Sequence, residues 1–297
     1  MGELTFAVPP AWNGRRLQDF LRQGCGLSWR MVVRLRHPPG QITVGGVLRR
    51  TIDPVRAGET VVLTLPADTL RIEPAALPLA VVYEDEALLV ADKPPYLAVH
   101  PSAGRPEPTL ANAAVAHYAA AGVTCSFRPV NRLDRNTSGL LLAAKNAHVA
   151  YALTRKPEKE YLAVACGTLT GGGTVDQPIR LREGSFIARE VGEGGKPSVT
   201  HYTALSSDGT YTLLRLRLET GRTHQIRVHM AWLGCPLAGD DLYGGSTADI
   251  SRQALHCARM RFDHPLTGAP LELRAPLPED MRALCAARHL TVPEEYL

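Results

Sequence analysis

The stretch Asn131–Asn146, "NRLDRNTSGLLLAAKN", sets the interpretation of the whole chain. A single acid, Asp134, stands between two arginines and is followed by small polar residues, a glycine and a leucine run. The run Leu140–Leu142 predicts a buried strand. Gly139 permits a close backbone approach immediately before that strand. We therefore expect Asp134 to lie, partly buried, at the mouth of a core strand.

Two interpretations of Asp134 follow from the residues alone. Most Asp–Arg neighbours are solvated ion pairs that contribute little to stability. The alternative is a functional acid, because a nearby guanidinium lowers a carboxyl pKa while burial raises it. A carboxylate that acts as nucleophile or base must stay ionised, so an arginine beside it would serve that need. The residues by themselves leave these interpretations level.

The composition indicates a globular protein with either one large domain or two unequal ones. The chain has 297 residues, of which 45% are hydrophobic and 21% charged, enough for a proper core. No apolar run is long enough to cross a bilayer, and the N-terminus has no apolar core of signal-peptide type. We therefore expect a cytoplasmic protein without membrane contact. The six cysteines form no C-x-x-C pair, so reduced thiols are expected.

Positive charge is concentrated at the start of the chain. Residues 1–75 carry ten arginines, no lysine and six acids, so they hold the whole net charge of +4. Such asymmetry indicates an anionic partner, although a solvated arginine face is the plainer explanation.

Residues 14–65 have the pattern of a small basic unit. Apolar residues at i, i+3 and i+4 begin at Leu17 and again at Trp29, and Ser28 is placed to cap the second helix. Gly45-Gly46 predicts a hairpin turn. This unit resembles the S4-type RNA-binding module, and the resemblance implies contacts to phosphates by four arginines: Arg15, Arg16, Arg30 and Arg34.

The remaining residues predict many strands and few helices. Strands are indicated by "KEYLAVACGTL", "THYTALSSDGTYTLLRLRLETG" and "LELRAPL", and a helix by "TLANAAVAHYAAAG". We therefore expect an α+β fold, with a mixed, largely antiparallel sheet flanked by helices. The predicted domains are 1–75, which includes a Pro- and Ala-rich linker, and 76–297.

Two further motifs fail on inspection. "GEGGKPS" is no phosphate-binding P-loop, because Glu190 and Pro197 stand where glycine and Ser or Thr are needed. His224 and His229 are five apart in "HQIRVH" and would not share a strand face. No metal site is predicted.

Several blocks in this chain resemble the RluA-type family of RNA pseudouridine synthases. "NRLDRNTSG" is similar to that family's H-R-L-D-x-x-T-S-G signature, and "KEYLAVACG" and "ETGRTHQIRVHMAWLGCPLAGDDLYGG" match two further motifs. "ADKPPYLAVHPS" and "GKPSVTHY" add shorter matches. The blocks follow the family's order across residues 80–275. Asn131 replaces the family's usual His, and Tyr96 replaces its usual Gly.

The resemblance implies an isomerase that converts uridine in structured RNA to pseudouridine. It implies a pseudouridine synthase-like catalytic domain over residues 76–297. Because the product is an isomer of the substrate, no cofactor is expected. Ribosomal RNA is the first expected partner and transfer RNA the second, and a monomer is expected.

The same resemblance implies roles for individual residues. Asp134 is the reacting carboxylate, which attacks C1′ of the ribose or removes a ribose proton. Arg227 holds its charge, and Tyr161 stacks on the uracil with a hydroxyl near the C5 proton. Arg132 fills the gap that the flipped-out base leaves, and Arg222 contacts phosphate. Without the motifs, Arg227 would be a solvent-facing strand arginine and Tyr161 a core tyrosine.

Two other functional classes compete with the isomerase. An RNA-binding assembly factor would keep the fold without the chemistry, and the intact trio of Asp134, Tyr161 and Arg227 argues against it. A glycoside hydrolase normally needs a pair of carboxylates, whereas the motifs here supply one acid with a cation.

Overall fold

The structure, a computed structural model, describes residues 3–65, 72–101, 108–154 and 157–297. Its helices are α1 (Leu17–Asp19), which continues into a π-helical turn (Phe20–Gly24), α2 (Trp29–Leu35), α3 (Leu110–Ala120), α4 (Ala147–Ala152), α5 (Gln225–Trp232) and α6 (Glu279–Ala287). Short 3-10 helices cover Pro10–Trp12, Asp241–Tyr243 and Glu294–Tyr296.

The first strands are β1 (Glu3–Ala7), β2 (Gln41–Val44), β3 (Val47–Leu48), β4 (Thr60–Thr64), β5 (Ala80–Glu84), β6 (Leu88–Lys93), β7 (Arg128–Pro129) and β8 (Ser138–Ala144). The later strands are β9 (Glu158–Cys166), β10 (Gly172–Asp176), β11 (Ile179–Leu181), β12 (Arg189–Val191), β13 (Val199–Ser207), β14 (Tyr211–Leu218), β15 (Leu255–Asp263) and β16 (Pro270–Arg274).

Residues 3–65 build a four-stranded antiparallel sheet in the order β1-β4-β2-β3. This unit has a separate hydrophobic core between the sheet and the first helices, and its fully buried residues include Leu21, Val32 and Leu63. The Ser28 side chain accepts a hydrogen bond from the backbone of Met31, so the predicted helix cap is confirmed. The helices and the hairpin therefore lie where the sequence predicts them.

The structure does not test the predicted linker or the predicted domain boundary. Residues 66–71 lie outside the described part of the chain, and they include the first five residues of the predicted linker "ADTLRIEPAALPLA". The large sheet begins at Ala80. A boundary at residue 75 and the S4-type identity of the first unit stay predictions.

A ten-stranded sheet dominates the rest of the described chain, and β11 and β12 pair separately in a two-stranded sheet. The main order of the ten-stranded sheet is β10-β13-β14-β9-β15-β8-β6-β5, with β16 paired to β15 and β7 to β8. All of these pairs are antiparallel except β15 with β8. The predicted mixed, largely antiparallel sheet is therefore confirmed.

Strand β8 is the central buried strand that the leucine run predicts. All seven of its residues are buried, and it lies between β6 and β15. Gly139 has φ +105°, and a Cβ there would lie 2.3 Å from the carbonyl oxygen of Cys257. Only glycine permits this approach, so the loop carrying Asp134 enters the sheet at a fixed point.

The strand expected at "HQIRVH" is wrong. The chain leaves β14 at Leu218, turns, and begins helix α5 after His224, whose φ of 58° is left-handed. Ile226 and Met230 both reach the main core, and their spacing of four is the helical period rather than the strand period. Across the described ranges, none of the helices has the length and hydrophobicity needed to span a bilayer.

Candidate active site

Asp134 lies in the loop that leads into β8. Its side chain is 27% exposed, so the carboxylate is half-buried as expected. Its backbone carbonyl accepts a hydrogen bond from the Thr137 amide at 3.1 Å, which closes a tight turn before the strand. The carboxylate faces a cleft instead of bulk solvent.

Arg227 of α5 binds two carboxylates at once. Its Nη1 donates to Oδ2 of Asp134 at 3.1 Å. Its Nε and Nη2 each donate to Asp240 at 2.7 Å. Burial alone lowers the pKa of Arg227, but the bonds and charge of Asp240, together with Asp134, raise it above its ordinary value. The guanidinium is therefore a fixed positive charge with one nitrogen aimed at Asp134.

Asp240 was not identified from the sequence. Its side chain has no exposure, and both oxygens are taken up by Arg227. It could have been suspected because Arg227 and Asp240 share one motif and a buried guanidinium needs a charged partner. Asp240 is also no second catalytic acid of the glycosidase kind, because it is sealed from the cleft and paired.

Tyr161 lies on β9 between β14 and β15. Its side chain is 5% exposed and lines the same cleft. Burial, followed by the Cys257 thiol that hydrogen-bonds its hydroxyl and by Asp134, raises the pKa of Tyr161 well above 10. The phenol is therefore neutral at physiological pH and can donate a proton.

The cleft has a volume of about 420 Å³, enough for a nucleoside-sized group. Five of the predicted site residues line it together: Asp134, Tyr161, Arg227, Arg132 and Arg222. Arg132 is exposed, whereas Arg222 is half-buried and donates to the carbonyl of Pro197 at 3.2 Å. The other four arginines are exposed on the first 65 residues and do not line this cleft: Arg15, Arg16, Arg30 and Arg34.

His224 and Tyr243 form a second group that the sequence did not identify. Nε2 of His224 lies 3.8 Å from Oδ2 of Asp134, and Nδ1 lies 2.7 Å from the Tyr243 hydroxyl. That hydroxyl also accepts from the Arg189 amide, so Tyr243 holds the ring of His224 in place. Burial lowers the pKa of His224. The ring is therefore neutral at physiological pH, with its Nε2 on the side of Asp134.

The loop after Asp134 is held by two buried basic side chains. Nζ of Lys93 donates to the carbonyls of Pro94, Leu97 and Arg135 at 2.8–2.9 Å. Nη1 of Arg252 donates to the carbonyl of Asn136 at 3.0 Å. Both side chains are fully buried. Consecutive carbonyls beyond Asp134 are therefore fixed, which limits movement of the carboxylate.

Asn131, where the family signature has His, has a structural contact. Its side-chain amide donates to the carbonyl of Leu140 and accepts from the amide of Leu142. Both partners lie on β8, so this residue fastens the incoming loop to the strand.

Sequence comparisons place the chain among enzymes that act on RNA. A profile of the family described as RNA pseudouridylate synthase matches residues 87–232. Ribosomal large subunit pseudouridine synthase D of Vibrio vulnificus is 38% identical, over 99% of this chain and 98% of its own length. The protein of that name from Escherichia coli O6:H1 is 42% identical, over 94% and 92%.

Solved structures agree with the fold. Human RNA pseudouridylate synthase domain containing 1 superposes with a TM-score of 0.55 at 27% identity, covering 74% of this chain and 98% of its own. Human RNA pseudouridylate synthase domain containing 4 gives a TM-score of 0.59 at 22% identity, covering 72% of this chain and 95% of its own. The second likeness concerns the fold alone.

Proposed function

The chain belongs to the RNA pseudouridylate synthase family, and from that premise we propose that it modifies large-subunit ribosomal RNA with Asp134 as its reacting carboxylate. As a member, the protein is an RNA pseudouridine synthase, an isomerase that turns uridine into pseudouridine. The relatives named for the large ribosomal subunit align along nearly the whole chain, which supports ribosomal RNA as the substrate.

The contact between Arg227 and Asp134 is the observation that carries the proposal. The acid must be ionised to react, and it must stay ionised when the substrate displaces water from the cleft. A guanidinium held by Asp240 supplies that charge without moving. Because Arg227 is already oriented before substrate binds, little reorganisation is needed during the reaction.

The reaction balances without a cofactor. On one route, an oxygen of Asp134 bonds to C1′ as the bond from C1′ to N1 of uracil breaks. The freed uracil turns, C5 attacks C1′, and the carboxylate leaves. C5 then loses its proton and N1 gains one, so the product is an isomer. On the other route Asp134 first removes a ribose proton, and the anion is needed there too.

Tyr161 is placed to act late in this sequence. Its ring is one wall of the cleft, which suits stacking against a planar base. The phenol is neutral, so it can take the C5 proton only while it passes its own hydroxyl proton onward. Arg132, exposed at the mouth of the cleft, is suited to the gap in the RNA left by the extruded uridine.

The arginine-rich first unit contributes binding affinity for the RNA. Arg15, Arg16, Arg30 and Arg34 are all exposed, as phosphate contacts require. A monomeric enzyme stays a prediction.

Asp134→Asn is the test. The variant keeps the shape and loses the charge, so we expect pseudouridine formation in large-subunit ribosomal RNA to fall at least about 10³-fold. RNA affinity should stay within about threefold of the wild-type value, since the charge of Asp134 does not attract phosphate. Chemical mapping of pseudouridine in transcribed ribosomal RNA and transfer RNA measures both substrates. Product formed at the wild-type rate would remove Asp134 from the chemistry, and product in transfer RNA alone would replace the substrate.

A further inference from the structure

Tyr96 has an unusual backbone and an unusual exposure. Its φ is 63°, in the left-handed region that favours glycine, and the family signature has glycine at this position. Nevertheless 48% of the residue is exposed, so core packing does not require a large side chain here. A strained residue that persists without a packing reason indicates a function for the side chain.

The tyrosine is also held in place. Its hydroxyl lies 2.8 Å from Oγ of Ser251, and its carbonyl accepts from Nε of Arg135 at 3.1 Å. Lys93 binds the carbonyls of Pro94 and Leu97 on either side. The hydroxyl and the backbone of Tyr96 are therefore both held in place before any ligand binds.

These bonds attach Tyr96 to the catalytic loop. Arg135 directly follows Asp134 in the chain, and Lys93 binds the Arg135 carbonyl at 2.9 Å. Arg132 and Arg135 are both exposed on the same loop. The exposed ring of Tyr96 is therefore attached to a loop that carries two exposed cations. This combination suits a nucleotide, which has a flat base and an anionic phosphate.

We propose that the ring of Tyr96 is a stacking platform for a base next to the target uridine in the RNA. This inference rests on the proposed function, because it needs RNA at the cleft. A fixed ring loses little conformational freedom on binding, so stacking strengthens RNA binding without taking part in the chemistry. The platform is a feature of this chain, since a glycine at position 96 has no ring.

Tyr96→Gly separates binding from folding. Glycine adopts the same φ without strain, so we expect an unfolding midpoint no lower than that of the wild type. The KM for transcribed large-subunit ribosomal RNA should rise about tenfold, equivalent to ~1.4 kcal/mol, with a much smaller change in kcat. Tyr96→Phe keeps the ring and should restore KM to within about threefold.

His289→Gly is the matched control. His289 is the exposed residue after α6 and has φ 51°, so glycine relieves the same strain there without touching the catalytic loop. KM should not change in this variant. A wild-type KM in Tyr96→Gly, with an active wild-type enzyme, would overturn the platform alone. No pseudouridine from the wild-type enzyme in any RNA would overturn the proposed function instead.

Discussion

Nη1 of Arg227 lies 3.1 Å from Oδ2 of Asp134, although 93 residues separate them in the chain. The pair is set by two elements that meet at the cleft: the turn before β8 and the first half of α5. Asp240 completes the arrangement from the far side of the guanidinium. One cation lies between two carboxylates: the half-buried Asp134 faces the cleft, and the buried Asp240 has no access to substrate.

Asp240→Asn should slow the reaction without preventing RNA binding. The amide keeps one acceptor for Arg227 but loses the charge and the second acceptor, so the guanidinium loses its fixed orientation. We expect kcat to fall about 10- to 100-fold and the free energy of unfolding to fall by roughly 3 kcal/mol. Steady-state kinetics and urea unfolding measure the two effects.

Leu284→Ala controls for stability in that experiment. Leu284 is a buried residue of α6 in a separate core cluster, and its truncation lowers the free energy of unfolding by about 2–5 kcal/mol away from the cleft. Below its unfolding midpoint this variant should keep the wild-type kcat. An Asp240→Asn enzyme with unaltered kcat would show that Arg227 needs no second carboxylate.

Tyr161→Phe should lose rate and keep affinity. The ring remains as a wall of the cleft, but the hydroxyl that we propose to relay the proton is gone. General acid–base groups contribute about 10²- to 10⁴-fold, so we expect kcat to fall by at least about 10²-fold. Release of tritium from RNA labelled at uridine C5 follows the step directly. Full release in the variant would leave Tyr161 with a stacking role only.

Lys93→Met should change how stability depends on pH. Burial lowers the pKa of Lys93 to about 7, and the charge of Arg252 acts in the same direction. An unfolded lysine keeps its proton to about pH 10.4. Between those values the unfolded state binds more protons, so Lys93 makes the wild type more stable as pH rises.

The unfolding free energy of the wild type minus that of Lys93→Met should therefore increase from pH 7 to pH 9. The increase should be at most about 1.4 kcal/mol per pH unit. Urea titrations at several pH values measure it. A difference that does not vary with pH would mean that the three carbonyl acceptors hold the Lys93 proton across the range.

Replacing Arg15, Arg16, Arg30 and Arg34 together by Gln should weaken RNA binding and its salt dependence. Each phosphate contact contributes about 0.7–0.9 to the slope of log K against log salt concentration. We expect a slope shallower by up to about 3 and a kcat close to wild type at saturating RNA, because these residues do not line the cleft. An unchanged slope would mean that the RNA does not contact this surface.

The sequence predicted most of the fold, and the exceptions have a common cause. The leucine run before Lys145 and the alternation in β14 are local patterns, so β8 and β14 were predictable. The segment after His224 contains both apolar and charged residues, and its short spacing fitted a strand as well as a helix. Only contact of Ile226 and Met230 with the main core decided the helix.

For the candidate site, local motifs were enough to identify three chemical groups: the acid at position 134, the tyrosine at 161 and the arginine at 227. The partners of these groups became visible only in the folded chain. Asp240 behind Arg227, His224 beside Asp134, and Tyr96 on Ser251 are contacts between distant segments. Residue types along a chain specify which groups are available, whereas charge pairing and burial depend on packing, which brings those groups within a few ångströms of each other.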